Sequence, residues 1–160
     1  MLRDAEPSDG DAICSIYNEY ILNTTITFEE TPLQAEEMAS RIRLVMQSYP
    51  WLVYEKDSRV VGYAYAGKWK ERSAYRYSVE TAIYMDSRHV GKGIGTQLMK
   101  ELLNRLKAVS LHSVISGIAL PNPASVALCE RFGFKKIAHF SEVGYKMNRW
   151  IDVGYWELLL

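Results

Sequence analysis

No stretch of this chain is apolar for long enough to span a membrane, and Met1-Leu2-Arg3-Asp4 runs into ordinary sequence without the charged and apolar regions of a signal peptide. A cytoplasmic protein is therefore expected, without membrane partners. Cysteine is scarce. Cys14 and Cys129 fall in separate predicted helices and form no metal-ligand spacing, which excludes a disulfide framework and makes a reduced setting the default. His89, His112 and His139 have no partners at a diagnostic spacing, so no metal is expected. Nor is there an excess of either charge: 19 Lys and Arg balance 19 Asp and Glu. Nothing in that balance draws the chain to nucleic acid or an anionic surface. Repeats, linkers and low-complexity tracts are absent as well. What remains, 160 residues of which 48% are apolar and 24% charged, is expected to form one domain over 1–160.

The most informative stretch is Asp86-Ser-Arg88-His-Val-Gly91-Lys92-Gly93-Ile94-Gly95-Thr96. Before it, Tyr77 to Met85 is rich in β-branched and aromatic residues and reads as a strand. After it, Ile94, Leu98, Leu102, Leu106 and Val109 recur at helical spacing. Between strand and helix, Gly91, Gly93 and Gly95 permit positive φ and leave backbone N–H groups uncovered. Those groups and the helix N-terminus suit a phosphate, with Arg88 and Lys92 adding charge. Two common phosphate patterns do not fit. A P-loop needs four residues between its first Gly and Gly-Lys-Ser/Thr, and a dinucleotide fingerprint needs glycine where Thr96 stands.

Along the chain, Leu2 to Ala5 predicts a strand. Ser8 and Asp11 predict the cap of a helix whose apolar face is Ile13, Ile16, Tyr17, Tyr20 and Ile21. A Thr-rich loop from Asn23 to Glu30 carries Phe28. Thr31-Pro32-x-Gln34 predicts the start of a helix presenting Ala35, Met38, Ile42, Val45 and Met46, ended by Pro50. Trp51 to Glu55 and Val60 to Ala66 read as a hairpin, followed by a charged loop, Gly67 to Ala74. After the central helix come a strand at Ser113 to Ile118, a helix capped by Asn122-Pro123 and closed by Gly133, and strands at Lys135 to Val143 and Trp150 to Leu158. This is a mixed α/β order.

Arg88-x-x-Gly91-x-Gly93 resembles the Arg/Gln-x-x-Gly-x-Gly/Ala signature of the GNAT superfamily of N-acetyltransferases. Asn122-x-x-Ser125-x-x-Leu128-Cys129-x-x-x-Gly133-Phe134 is similar to a second pattern of that superfamily. Ile16-Tyr17-Asn18, Thr24 to Phe28, Pro32, Tyr77-x-Val79-Glu80, Val143-Gly-Tyr-Lys146 and Trp150-x-Asp152-Val resemble the phosphinothricin and methionine sulfoximine N-acetyltransferase group. The resemblance covers nearly the whole chain. It implies a central, mostly antiparallel sheet that splays at two parallel strands and is flanked by helices. It implies acetyl-CoA as co-substrate, with the pantetheine arm along Ile83, Tyr84 and Met85, the pyrophosphate at Gly91 to Thr96, and Asn122 near the thioester as well as capping its helix. A homodimer is implied too, for which the apolar C-terminal stretch (Trp150, Tyr155, Trp156, Leu158 to Leu160) suits an interface or else forms an ordinary core strand.

Glu80 is the expected catalytic residue. It alternates onto one strand face with Ser78, Ala82 and Tyr84, and a carboxylate in such a strand is costly to desolvate unless partnered or functional. Burial would raise its pKa toward a range useful to a general base, which would take a proton from a substrate ammonium. The superfamily often has Tyr where this chain has Cys129, a poor acid or a passive core residue; Tyr145 or a water are other sources of the proton that the leaving thiolate requires. For an amino-acid substrate, Lys70, Glu71 and Arg72 occupy the loop where the resembling enzymes bind substrate, with Phe28 as an apolar wall. The expected reaction is acetylation of the α-amine of a small amino acid such as phosphinothricin, methionine sulfoximine or methionine sulfone. A polyamine or protein N-terminus as acceptor, or a non-catalytic acyl-CoA-binding regulator, are the alternatives.

Overall fold

The computed structural model describes residues 1–160. Its elements are β1 (Leu2–Asp4), α1 (Gly10–Asn23), α2 (Ala35–Val45), β2 (Trp51–Lys56), β3 (Arg59–Lys68), β4 (Ser78–Met85), α3 (Ile94–Ala108), β5 (Ser113–Ala119), α4 (Pro123–Arg131), β6 (Lys135–Lys146) and β7 (Arg149–Leu159). The strands form a seven-stranded sheet in the order β1-β2-β3-β4-β5-β7-β6. Every neighbouring pair is antiparallel except β4 and β5, which are parallel and joined by the α3 crossover. The architecture is the mixed α/β sheet expected. No helix is long and apolar enough to cross a membrane.

The sheet has an apolar core on each face because its strands alternate. On one side, the helical stripe Ile94, Leu98, Leu102 and Leu106 of α3 packs with Val79, Val114 and Trp156. On the other, Ile13, Tyr17 and Ile21 of α1 and Met38 and Ile42 of α2 pack on Trp51, Val53 and Tyr63. Burying each such aliphatic side chain contributes about 1.5–3 kcal/mol. Strand β4 is shared between them: Val79, Ile83 and Met85 face the α3 core and Tyr84 faces the α1 core.

Turn chemistry fixes the hairpins. Asp57 and Ser58 have φ of 50° and 59°, and Met147 and Asn148 have 55° and 58°, as two-residue left-handed connections require. The second hairpin runs further than alternation predicts, to Lys146 and Arg149, because a bulge between Phe140 and Gly144 shifts the register and disguises the strand. Helix starts also differ from expectation. Glu6 and Asp9, not Ser8, make the capping box, around a short 3-10 turn at Pro7–Asp9, with Asp9 held by Arg3 at 2.8 Å. Thr31-Pro32 lies outside α2, whose N-cap is Gln34 and which ends at Val45, ahead of Pro50.

The parallel pair is incomplete. β4 and β5 register only over Ser78–Glu80 against Ser113–Ile115 and then diverge. This split positions the site.

Candidate active site

Beyond the split, Thr81 to Tyr84 of β4 and Ser116 to Ala119 of β5 line the two walls of a cleft, and Asn122, Ser125, Leu128 and Cys129 close one side. The facing strand edges have no ladder partners there. Buried backbone N–H and C=O groups need partners, so the cleft suits a ligand arm that carries amides. Ile83 and Tyr84 lie on its lining. Met85 stands past its lining, at the glycine-loop cavity, and its carbonyl already accepts the Tyr20 hydroxyl at 2.6 Å. Asn122 lines the cleft and also caps α4, its Oδ1 accepting the Ser125 N–H at 3.2 Å.

At the end of the cleft the glycine loop opens. Gly91 and Gly93 have φ of 79° and 77°, and no atom lies within 4 Å of where a Cβ would stand on either. The first bond of α3 runs from the Gln97 N–H to the Gly93 carbonyl at 3.2 Å, so the N–H groups of Ile94, Gly95 and Thr96 have no partner within the helix. The loop and one face of α4 enclose a cavity of about 410 Å³. Three expectations are corrected here. Gly95 is helical without positive φ, and its bare Cα faces Leu128, whose Cδ2 is 3.7 Å from the would-be Cβ. Arg88 does not offer its charge to the cavity: Nε and Nη2 donate to the Asp86 carboxylate at 3.0 and 2.6 Å. That bond holds the Asp86 carboxyl down to about 2. Lys92 Nζ donates to the Arg88 carbonyl at 2.9 Å and lies outside the lining. An acid two residues before the arginine claims it, which spacing from the glycines does not reveal.

A second cavity, of about 500 Å³, adjoins the cleft and shares Ile26, Tyr84, Gly117 and Ala119 with it. Glu80 and Phe28 line it, joined by Phe140, Val143, Val153 and Tyr155. No protein donor bonds the Glu80 carboxylate. Burial pushes its pKa above the ordinary value, opposed by the positive charge of Lys70. The room for it comes from Gly117, where an added Cβ would sit 3.0 Å from Glu80 Oε1 and from the Tyr155 ring. Burial first, and then the Glu80 charge, push the Tyr155 phenol upward.

The wall carrying Phe28 is held from behind. The Phe28 ring lies against Gly144, where an added Cβ would stand 2.3 Å from it. Lys146, 4% exposed, donates from Nζ to the Thr27 carbonyl at 2.8 Å. Burial lowers its ammonium pKa. Thr27 Oγ1 shares a 2.7 Å hydrogen bond with the Tyr17 hydroxyl, which also donates to Glu29, and Glu29 pairs with Arg41 at 2.7 Å.

The expected substrate loop is at the rim. Lys70, Glu71 and Arg72 are exposed and none lines the cavity. Glu71 pairs with Lys68 at 3.2 Å, and Lys70 lies over the Trp69 ring at 5.0 Å. Trp69 connects the loop to the site through its edge-on contact with Tyr155, centroids 5.7 Å apart. Tyr145 stands against Trp150 at 4.8 Å, exposed and outside the lining of both cavities. Cys129 is buried in the cleft wall, its thiol pushed up by burial. Trp156 is core, not surface. His139 does have a partner, Asp152 at 2.8 Å across the β6–β7 pair, away from both cavities. Phe140, Tyr155 and Gly117 are lining residues without a local motif, and Val143 belongs to one known only by resemblance; only the topology brings β5, β6 and β7 beside Glu80.

The model of an acetyltransferase (GNAT) domain matches residues 2–154. Phosphinothricin N-acetyltransferase of Streptomyces viridochromogenes is 38% identical over 156 residues, 98% of this chain and 85% of that one. The L-methionine sulfoximine/L-methionine sulfone acetyltransferase of Pseudomonas paraeruginosa is 36% identical over 161 residues, covering 99% and 94%. Among solved structures, a GNAT superfamily phosphinothricin acetyltransferase from Sinorhizobium meliloti, in complex with acetyl-CoA, superposes with a TM-score of 0.96 at 38% identity, over 100% of this chain and 88% of that one. The splayed strands and open glycine loop are thus set in a matching sequence as well as a matching fold, and the chain belongs to the GNAT family of acetyltransferases.

Proposed function

We propose that this protein transfers the acetyl group of acetyl-CoA to the α-amine of a small amino acid of the phosphinothricin, methionine sulfoximine and methionine sulfone kind, with Glu80 as general base. The observation that carries this is the placement of Glu80. Its carboxylate has no protein hydrogen bond and a raised pKa, and it stands beside Gly117, a residue common to the cofactor cleft and the neighbouring cavity.

The residues present fit acetyl-CoA. The unpaired edges of β4 and β5 match the amides of a pantetheine arm, with Ile83 and Tyr84 on the lining, and the unpartnered N–H groups of Ile94 to Thr96, residues of the glycine-loop cavity, suit the pyrophosphate. When bound, acetyl-CoA supplies an activated acyl group. Glu80 then takes a proton from the substrate ammonium, directly or through a water, because only the neutral amine attacks a carbonyl. The backbone N–H of Ile83, on the unpaired edge of β4, is available to developing negative charge on the acyl oxygen, whereas that of Tyr84 is turned to Tyr63 in the β3–β4 ladder. The amine nitrogen gains the acetyl group as the C–S bond breaks; the nitrogen gives up its remaining extra proton to solvent, and the leaving thiolate takes one proton from solvent, so that the net proton released is the one taken up by Glu80. Phe28, Phe140 and Tyr155 exclude bulk solvent from one side, and Arg72 at the rim is available to the substrate carboxylate. A homodimer accompanies this reading: Ile137, Val143, Tyr145, Met147 and Trp150 make an exposed apolar row on the β6–β7 hairpin, of the kind that soluble proteins cover.

Release of free thiol from acetyl-CoA, measured with phosphinothricin, methionine sulfoximine, methionine sulfone, spermidine and a short peptide, tests the acceptor class. The expected result is turnover with the first three. Turnover confined to spermidine or peptide would overturn the amino-acid reading.

A further inference from the structure

The cavity at the glycine loop has a second wall, and its chemistry is not that of the loop. Ala124, Ala127, Leu128 and Arg131 of α4 recur at the spacing of one helix face and line the cavity opposite Gly91, Gly93 and Thr96. The two alanines project one carbon each and leave a shallow apolar floor. Arg131, at its far end, is exposed and makes no ion pair or hydrogen bond with the chain. The two cations nearer in sequence to the loop are occupied, Arg88 by Asp86 and Lys92 by the Arg88 carbonyl.

Coenzyme A presents two separate phosphate groups. The loop N–H groups and the N-terminus of α3 accommodate the pyrophosphate without any side chain. The ribose 3′-phosphate sits at the adenosine end and needs a charge partner from elsewhere. We infer that Arg131 binds the 3′-phosphate of coenzyme A and that the Ala124–Ala127 face of α4 seats the adenosine. A guanidinium suits this role because its paired N–H donors match two phosphate oxygens. A cation in the last turn of a helix is also favoured by the helix dipole. That role is indifferent to a 3′-phosphate, which separates the two by experiment.

The test is calorimetric titration of coenzyme A and of 3′-dephospho-coenzyme A into the unaltered protein and into Arg131→Gln. The unaltered protein should bind coenzyme A about tenfold more tightly than the dephospho form, a difference of about 1.4 kcal/mol. Arg131→Gln should lose that tenfold preference while binding dephospho-coenzyme A as before, and Arg131→Lys should fall between. The unliganded melting temperature of Arg131→Gln should fall slightly at most, since the side chain is exposed, makes no ion pair or hydrogen bond, and loses only its interaction with the helix dipole. Equal weakening toward both ligands, or no change toward either, would overturn the assignment. Failure of the unaltered protein to bind either ligand would strike the acetyl-CoA reading itself, a distinct result.

Discussion

The two halves of the site are built from different material. The cofactor half is mostly main chain: the unpaired edges of β4 and β5, the left-handed Gly91 and Gly93, and the free N–H groups at the start of α3. The acceptor half is mostly side chains, Phe28, Glu80, Phe140 and Tyr155 from four separate segments, which meet across Gly117 only in the folded molecule. A main-chain site constrains the sequence where it stands, through glycines and a helix start. A side-chain site constrains shape at a distance and leaves no local pattern.

Variants that strike one half and spare the other test this division. The largest effect is expected from Glu80→Gln, which keeps the shape and removes the base. Its kcat should fall about 10²–10⁴-fold, while calorimetry shows acetyl-CoA binding unchanged. Next is Gly93→Val, which forces a β-branched residue to a φ of 77°. The conformational cost of about 1–2 kcal/mol should weaken coenzyme A binding by about tenfold, with little change in the acceptor KM. Gly144→Ala acts on the opposite half: its methyl would meet the Phe28 ring, which must move. Overpacking of this kind costs about 1–3 kcal/mol, and the acceptor KM should rise several-fold while the coenzyme A Kd stays the same. Smallest is Cys129→Ala. If the buried thiol is a wall residue and not the acid, kcat should stay within about twofold although stability falls by about 1 kcal/mol. A large loss of kcat there would assign the proton to Cys129.

The same contrast explains what the sequence reveals. The order of the elements, the alternation that divides β4 between two cores, and the glycine loop are all legible, because each rests on local periodicity or on a residue with special backbone freedom. Asn122 is legible as a cap for the same reason. Arg88 is misleading: proximity to the glycines suggests a phosphate ligand, but Asp86 offers a pre-formed partner two residues away. Lys70 and Arg72 are found near the site but outside its lining, because Trp69 carries the contact with Tyr155. Lys146 is legible only as part of a family motif. Its bond to the Thr27 carbonyl links residues 119 positions apart, and no spacing encodes that.

The central claim is that Glu80, held in a partly desolvated cavity, takes the proton of the acceptor amine. Its most direct test is the pH dependence of kcat at saturating acceptor and acetyl-CoA, for the unaltered protein and for Glu80→Gln. Burial raises the Glu80 pKa, so the base is lost on acidification at a higher pH than for an ordinary glutamate. The unaltered enzyme should therefore rise through that raised pKa and then level off. Glu80→Gln has no base and relies on amine that is already neutral, so its rate should climb about tenfold per pH unit toward the pKa of the amine itself. Two profiles of the same shape, whatever their heights, would contradict the account and remove Glu80 from the proton transfer.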